Sequence, residues 1–166
     1  MMDRLLKILT EIESATNCIV SKLKNPITGL SLGYELPKDL KYYLENYSSM
    51  TLFQNTDYSI KIVGFSEFKR ANPIIVGEDV EDDISHNWYI ISDDGNSQYI
   101  TIDLAKERLG RCYDSFWDIH GVAGSQAIIA KSFTELLEHL YFAKGNFLYW
   151  MDPSFKSYGD AYDDRD

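Results

Sequence analysis

The sequence predicts an α+β fold, an antiparallel-rich central sheet packed with N-terminal and C-terminal helices. Apolar residues recur at helical spacing near both ends of the chain, and period-two segments fill the middle. An Asp-Gly pair between two of those segments supplies a hairpin turn. Helices, then strands, then a helix is the order of an α+β domain rather than of alternating βαβ units. With 166 residues, the chain is long enough for one domain with a real core.

Leu5, Ile8, Leu9, Ile12 and Ala15 set an amphipathic helix over residues 3–16. Asn25-Pro26 and Gly29 then break the chain. Leu36-Pro37 opens a second helix, because a proline at the first helical position lacks only an N–H that would be unpaired there anyway. Leu40, Tyr43, Leu44 and Tyr47 form its buried stripe. Residues 51–54 and 58–63 read as strands, joined by a turn at Asn55-Thr56-Asp57. Residues 66–70 read as a short helix that stops before Asn72-Pro73.

The strongest β pattern covers residues 88–92 and 98–103, which flank Asp93-Asp94-Gly95-Asn96. Glycine there allows the left-handed backbone of a tight turn. Residues 110–114 continue as the next antiparallel strand. Ser132-Phe133-Thr134-Glu135 is a capping box, Phe133, Leu136, Leu137 and Leu140 give its helix an apolar face, and Gly145 ends it. One domain over residues 1–150 follows, with residues 151–166 as an acidic, flexible C-terminal extension whose end, from Tyr158 on, is frayed.

Charge narrows the function classes. The net charge is −10, and residues 71–105 supply eight carboxylates and no Lys or Arg. A nucleic-acid binder needs the opposite sign, since its affinity comes from neutralising phosphates. A partner with a basic surface would be steered toward this chain. No apolar run is long enough to span a bilayer, and Arg4, Lys7, Glu11 and Glu13 interrupt any signal-like segment, so an intracellular, cytoplasmic protein is expected. Cys18 and Cys112 have no motif spacing and are expected as reduced, partly buried thiols.

No catalytic, metal or cofactor site is expected. GxGxxG, GxxxxGK[ST] and GxSxG are absent, and His86, His120 and His139 form no metal-ligand spacing with the cysteines. Asp57 with Glu67 and Lys69 mimics a nuclease carboxylate plus Glu-x-Lys set, but Glu67 and Lys69 sit where a helical turn, not one strand face, is predicted. The acidic run Glu78-Asp79-Val80-Glu81-Asp82-Asp83 lacks the alternating ligands and central glycine of a calcium loop.

Taken in order, several of these pieces resemble the SUKH superfamily of fungal cell-wall-assembly regulators and bacterial immunity proteins. The run from Leu36-Pro37 to Leu44 looks like the Leu-Pro start of the family's helix. The strand pair around Asp94-Gly95, Ile100 to Leu104, and Gly110 leading into a strand follow. The segment from Ala130 to Leu137, with Ser132-Phe133, looks like the closing helix. The chain departs from the usual pattern after Tyr47, where many members have a Gly-rich turn and this one reads Ser48-Ser49-Met50.

The resemblance implies a binding module that, in bacteria, neutralises a cognate polymorphic toxin, often a nuclease, by direct contact. The charge agrees, since a nuclease site that holds phosphates is electropositive. The expected partner-binding residues are Glu78, Asp79, Glu81, Asp82, Asp83, Asp93 and Asp94, with Trp88, Tyr89 and Tyr99 as aromatic anchors. Binding elsewhere on the toxin fits the sequence equally well. A regulatory scaffold is the alternative reading, and a metal-dependent nuclease using Asp57 and Glu67 a remote one.

Overall fold

The computed structural model describes residues 1–163. Its helices are α1 Met2–Ser14, α2 Lys38–Asn46, α3 Ala71–Ile75 and α4 Phe133–Ala143. Its strands are β1 Ile19–Lys22, β2 Tyr47–Leu52, β3 Ile60–Val63, β4 Trp88–Asp93, β5 Tyr99–Asp103, β6 Cys112–Asp114 and β7 Ile128–Ala130. The strands form one antiparallel sheet in chain order. The α+β fold with an antiparallel sheet and packed helices is therefore as the sequence predicts. No helix among the described residues is long and apolar enough to cross a membrane.

α1, α2 and α4 pack on one another, bringing the two ends of the fold together. α1 buries Leu5, Ile8, Leu9 and Ile12, and α4 buries Phe133, Leu136, Leu137 and Leu140. Tyr43 of α2 stacks on Tyr47 at 5.3 Å and meets Phe133 at 5.0 Å between ring centroids. Asp39 ties the helices: its Oδ2 accepts from Thr134 N at 2.9 Å and from Thr134 Oγ1 at 2.8 Å. A buried carboxylate thus satisfies a first-turn N–H of α4, where negative charge is favoured. Ser132 Oγ accepts from Glu135 N at 3.1 Å, as the capping box predicts. Glu135 reaches back one residue further than that motif requires, to Lys131 N at 2.6 Å.

Several boundaries differ from expectation. α2 passes directly into β2 at Tyr47, and β2 ends at Leu52 because Phe53 turns to a positive φ of 54°. Residues 65–67 form a 3-10 turn, and α3 begins at Ala71, so Asn72-Pro73 starts a helix instead of stopping one. Pro73 fits because its missing N–H falls in the first turn. The strand expected from residue 110 begins at Cys112, after Gly110 at φ +90°. β1 and β7 were not anticipated: β1 is a short edge strand with a mostly exposed pattern, and β7 is three residues long.

The C-terminal extension is bonded to the body as far as it is described. Tyr158 N donates to Ile128 O at 3.1 Å, Ile128 N to Gly159 O at 2.9 Å, and Ala161 N to Gln126 O at 2.9 Å. Ala161 is buried and Tyr162 meets the Trp88 ring edge-on, apolar contacts that the polar composition of the segment conceals. This differs from the frayed end expected from Tyr158 on; residues 164–166 lie outside the described residues.

Candidate partner-binding surface

β4 separates the expected acidic residues into two groups. The α3–β4 connection carries Glu78, Asp79, Glu81, Asp82 and Asp83 at the start of that strand, and Asp93 and Asp94 lie at its far end. β4 itself rises about 17 Å between those two ends.

In the first group, Glu78, Glu81 and Asp82 are exposed. Asp79 accepts from Arg70 Nη1 at 3.1 Å and lies 2.8 Å from His86 Nδ1. Desolvation raises the Asp79 pKa, but the bonds and charges of His86 and Arg70 outweigh it and hold the carboxyl below its ordinary value. Asp83 caps the 3-10 turn Ile84–Asn87 by accepting from Ser85 N at 3.0 Å, and it meets the Tyr162 hydroxyl at 2.7 Å. The loop is thus pinned at Asp79 and Asp83 while its other carboxylates face water. Ile74 and Val76, just before them, are 48% and 50% exposed, so an apolar step adjoins the charge.

In the second group, the carboxylates hold their own turn. Asp93 Oδ1 accepts from Gly95 N at 2.7 Å, and Asp94 Oδ1 accepts from Asn96 N at 2.7 Å and Gln98 N at 3.1 Å. Both residues remain half-buried. Tyr99 stands opposite Asp93 in the β4–β5 register, and burial, then the charges of Asp93 and Asp94, raise its pKa.

The aromatic anchors require correction. Trp88 is fully buried, with Nε1 donating to Asp103 Oδ2 at 3.0 Å and its ring 4.4 Å from that of Tyr113. It offers a partner no surface. Tyr89 is also buried, its ring 5.1 Å from Phe68 and its hydroxyl bonded to that of Tyr34. Tyr99 is half-buried. The exposed tryptophan is Trp117, in the β6–β7 connection. That connection reaches from the β4–β5 turn to α3: Trp117 N donates to Ser97 O at 3.1 Å, and His120 Nε2 meets Asn72 Oδ1 at 2.7 Å. Sequence reasoning missed Trp117, although a tryptophan outside any alternating segment was the available signal.

Asp57 is exposed in the β2–β3 connection, and Glu67 forms an ion pair with Lys61 at 2.8 Å. Among the described residues, no group of three or more His, Cys, Asp and Glu is placed to hold a metal ion. Burial pushes the Cys112 thiol well above its ordinary value, which disfavours the thiolate.

An antiparallel sheet in chain order, packed with helices that the Asp39–Thr134 bonds tie together, defines an α+β sheet-and-helix module. The chain matches the SMI1 / KNR4 family (SUKH-1) over residues 30–139 and belongs to that family. It is also 49% identical over 130 residues to the immunity protein YokJ of Bacillus subtilis (strain 168), an alignment covering 78% of this chain and 79% of that protein.

Proposed function

We propose that this chain is an intracellular immunity protein that binds a cognate bacterial toxin and neutralises it by direct contact through an acidic surface. The observation that carries this reading is the 49% identity, over most of both chains, to a protein named as an immunity protein. The exposed carboxylates of Glu78, Glu81 and Asp82 beside Ile74 and Val76 support the mode of contact. Charge of one sign steers an oppositely charged partner, and an adjoining apolar step supplies short-range attraction. The partner that fits is a basic toxin domain, a nuclease whose phosphate-binding site the carboxylates occupy in place of substrate.

The test uses the purified domain of any toxin encoded beside this chain's own gene, and the absence of such a gene would count against the immunity reading. Titration across salt concentrations should give a single tight complex that weakens as salt rises. Glu81→Lys with Asp82→Lys should slow association by about tenfold or more, with dissociation changed less. A complex indifferent to salt and to both substitutions would remove the acidic surface from the mechanism. Failure of the two proteins to associate, or of this chain to relieve the domain's toxicity, would overturn the immunity reading.

A further inference from the structure

Two adjoining concavities at the far end of β4 share Tyr58 and Leu148 in their walls. The larger, about 390 Å3, also has Phe147, Met151, Asp152 and Pro153 in its lining. Tyr58, Phe147 and Met151 are 45%, 37% and 70% exposed. Asp57, Asp94 and Asp152 stand among the linings, and no Lys or Arg does. Apolar anchors inside a one-signed polar rim is the anatomy of a protein contact whose partner carries the opposite charge.

The wall is held in place before any partner arrives. Tyr58 N donates to Gly145 O at 3.2 Å, joining the β2–β3 connection to the end of α4. Thr56 Oγ1 donates to Phe53 O at 2.6 Å within that connection. Gly145, at φ +70°, fits so closely that an added Cβ would lie 2.8 Å from Phe53 Cβ. Asp152 accepts from the Ser154 hydroxyl and N–H, and these bonds keep its carboxyl below its ordinary pKa and therefore ionised. A preorganised wall loses little freedom on binding.

From this geometry we propose that the surface formed by Tyr58, Phe147 and Met151 with Asp57, Asp94 and Asp152 is the anchoring site for the toxin, and that it takes an apolar side chain flanked by Lys or Arg. The proposal rests on the immunity reading and deepens it: the α3–β4 loop steers, and this end holds. Asp94 is common to the acidic turn and to the concavity. β4, about 17 Å from end to end, is shorter than a standard interface of roughly 800 Å2 per partner, which is about 30 Å across.

The test measures association and dissociation of the same candidate toxin domain with wild type, with Tyr58→Ala plus Met151→Ala, and with Asp57→Lys. Thermal melting of each variant alone checks that it is folded. The expected result is at least a tenfold faster dissociation for the double variant, with melting unchanged and hydrogen exchange at residues 56–58 and 147–151 slowed in the wild-type complex. A tight complex with unchanged dissociation and no protection there would overturn the anchor and leave the immunity reading standing. No complex with wild type would overturn both. Self-association of the free chain that the double variant abolishes would assign the surface to a second copy and overturn the toxin anchor.

Discussion

At the scale of single residues, the most consequential groups are buried. Burial pushes the His120 pKa down to about 4, while the charge of Asp83 opposes the shift. Asn72 Nδ2 donates to Ser85 Oγ at 3.0 Å, which leaves Asn72 Oδ1 to accept from His120 Nε2 and assigns the neutral ring its proton. A folded pKa below the ordinary 6.5 means the unfolded chain takes up the proton first as pH falls. The contribution is therefore complete above about pH 6.5 and is lost down to about pH 4, at most roughly 3 kcal/mol. Urea midpoints measured at pH 7 and pH 4.5 should fall less for His120→Gln than for wild type; an equal fall would show that other groups dominate acid sensitivity. Asp39→Ala should cost about 3 kcal/mol by denaturant titration, because it strands the N–H and hydroxyl of Thr134 in the core. Neither role was legible in the sequence. A histidine in a glycine-flanked connection and an aspartate after Leu-Pro both look like surface residues until distant segments close over them. The same reason explains Trp88: alternation placed it in a strand, but only the overlying His120 and Tyr162 rings show that both faces of that strand are covered.

At the scale of elements, the capping, turn and helical-spacing signals held, whereas Asn72-Pro73 opened α3 instead of closing a helix. Ser132 caps α4, and Ser132→Ala should lower stability by about 1 kcal/mol in the same titration. The Asp94-Gly95 turn joins β4 to β5 with Gly95 at φ +80°, and the helical spacing of Leu5, Ile8, Leu9 and Ile12 gave α1 within two residues at each end. The elements that escaped had no local pattern to show. β1 is exposed along its length except for a half-buried Val20, and β7 is buried throughout, so neither alternates. Gly145→Ala should destabilise by more than about 1 kcal/mol and loosen the β2–β3 connection, because both φ +70° and Phe53 oppose the new methyl. Faster hydrogen exchange at residues 54–58 in that variant would confirm the link; unchanged exchange would show that the connection is held by other contacts.

At the scale of the whole molecule, charge asymmetry was fully legible and its geometry was not. Composition placed eight carboxylates in residues 71–105, and the fold then divided seven of them between the α3–β4 connection and the far end of β4 and buried Asp103 as the acceptor for Trp88, Tyr113 and Arg108. Four basic residues, Lys106, Arg108, Arg111 and Lys131, line a separate cavity of about 370 Å3. The surface is therefore not uniformly acidic. Exposed charges are screened beyond a Debye length of about 8 Å at physiological salt. On the proposed reading, association with the toxin should accordingly slow with ionic strength, while dissociation governed by the proposed anchor at Tyr58 and Met151 should respond weakly. Stopped-flow mixing at several salt concentrations separates the two, and equal salt sensitivity of both rates would contradict the division between steering and anchoring.

The strand order carries a consequence for the living cell. Because every strand pairs with the one made just before it, the sheet can assemble progressively as the chain leaves the ribosome. α1 is made well before α4, the partner it contacts most, which begins only at Phe133. Until α4 is made, Leu5, Ile8, Leu9 and Ile12 have only α2 and β1 to pack against. A nascent chain halted before Ser132 lacks α4 and should be degraded rather than folded, so a stable body would appear only once that helix is made.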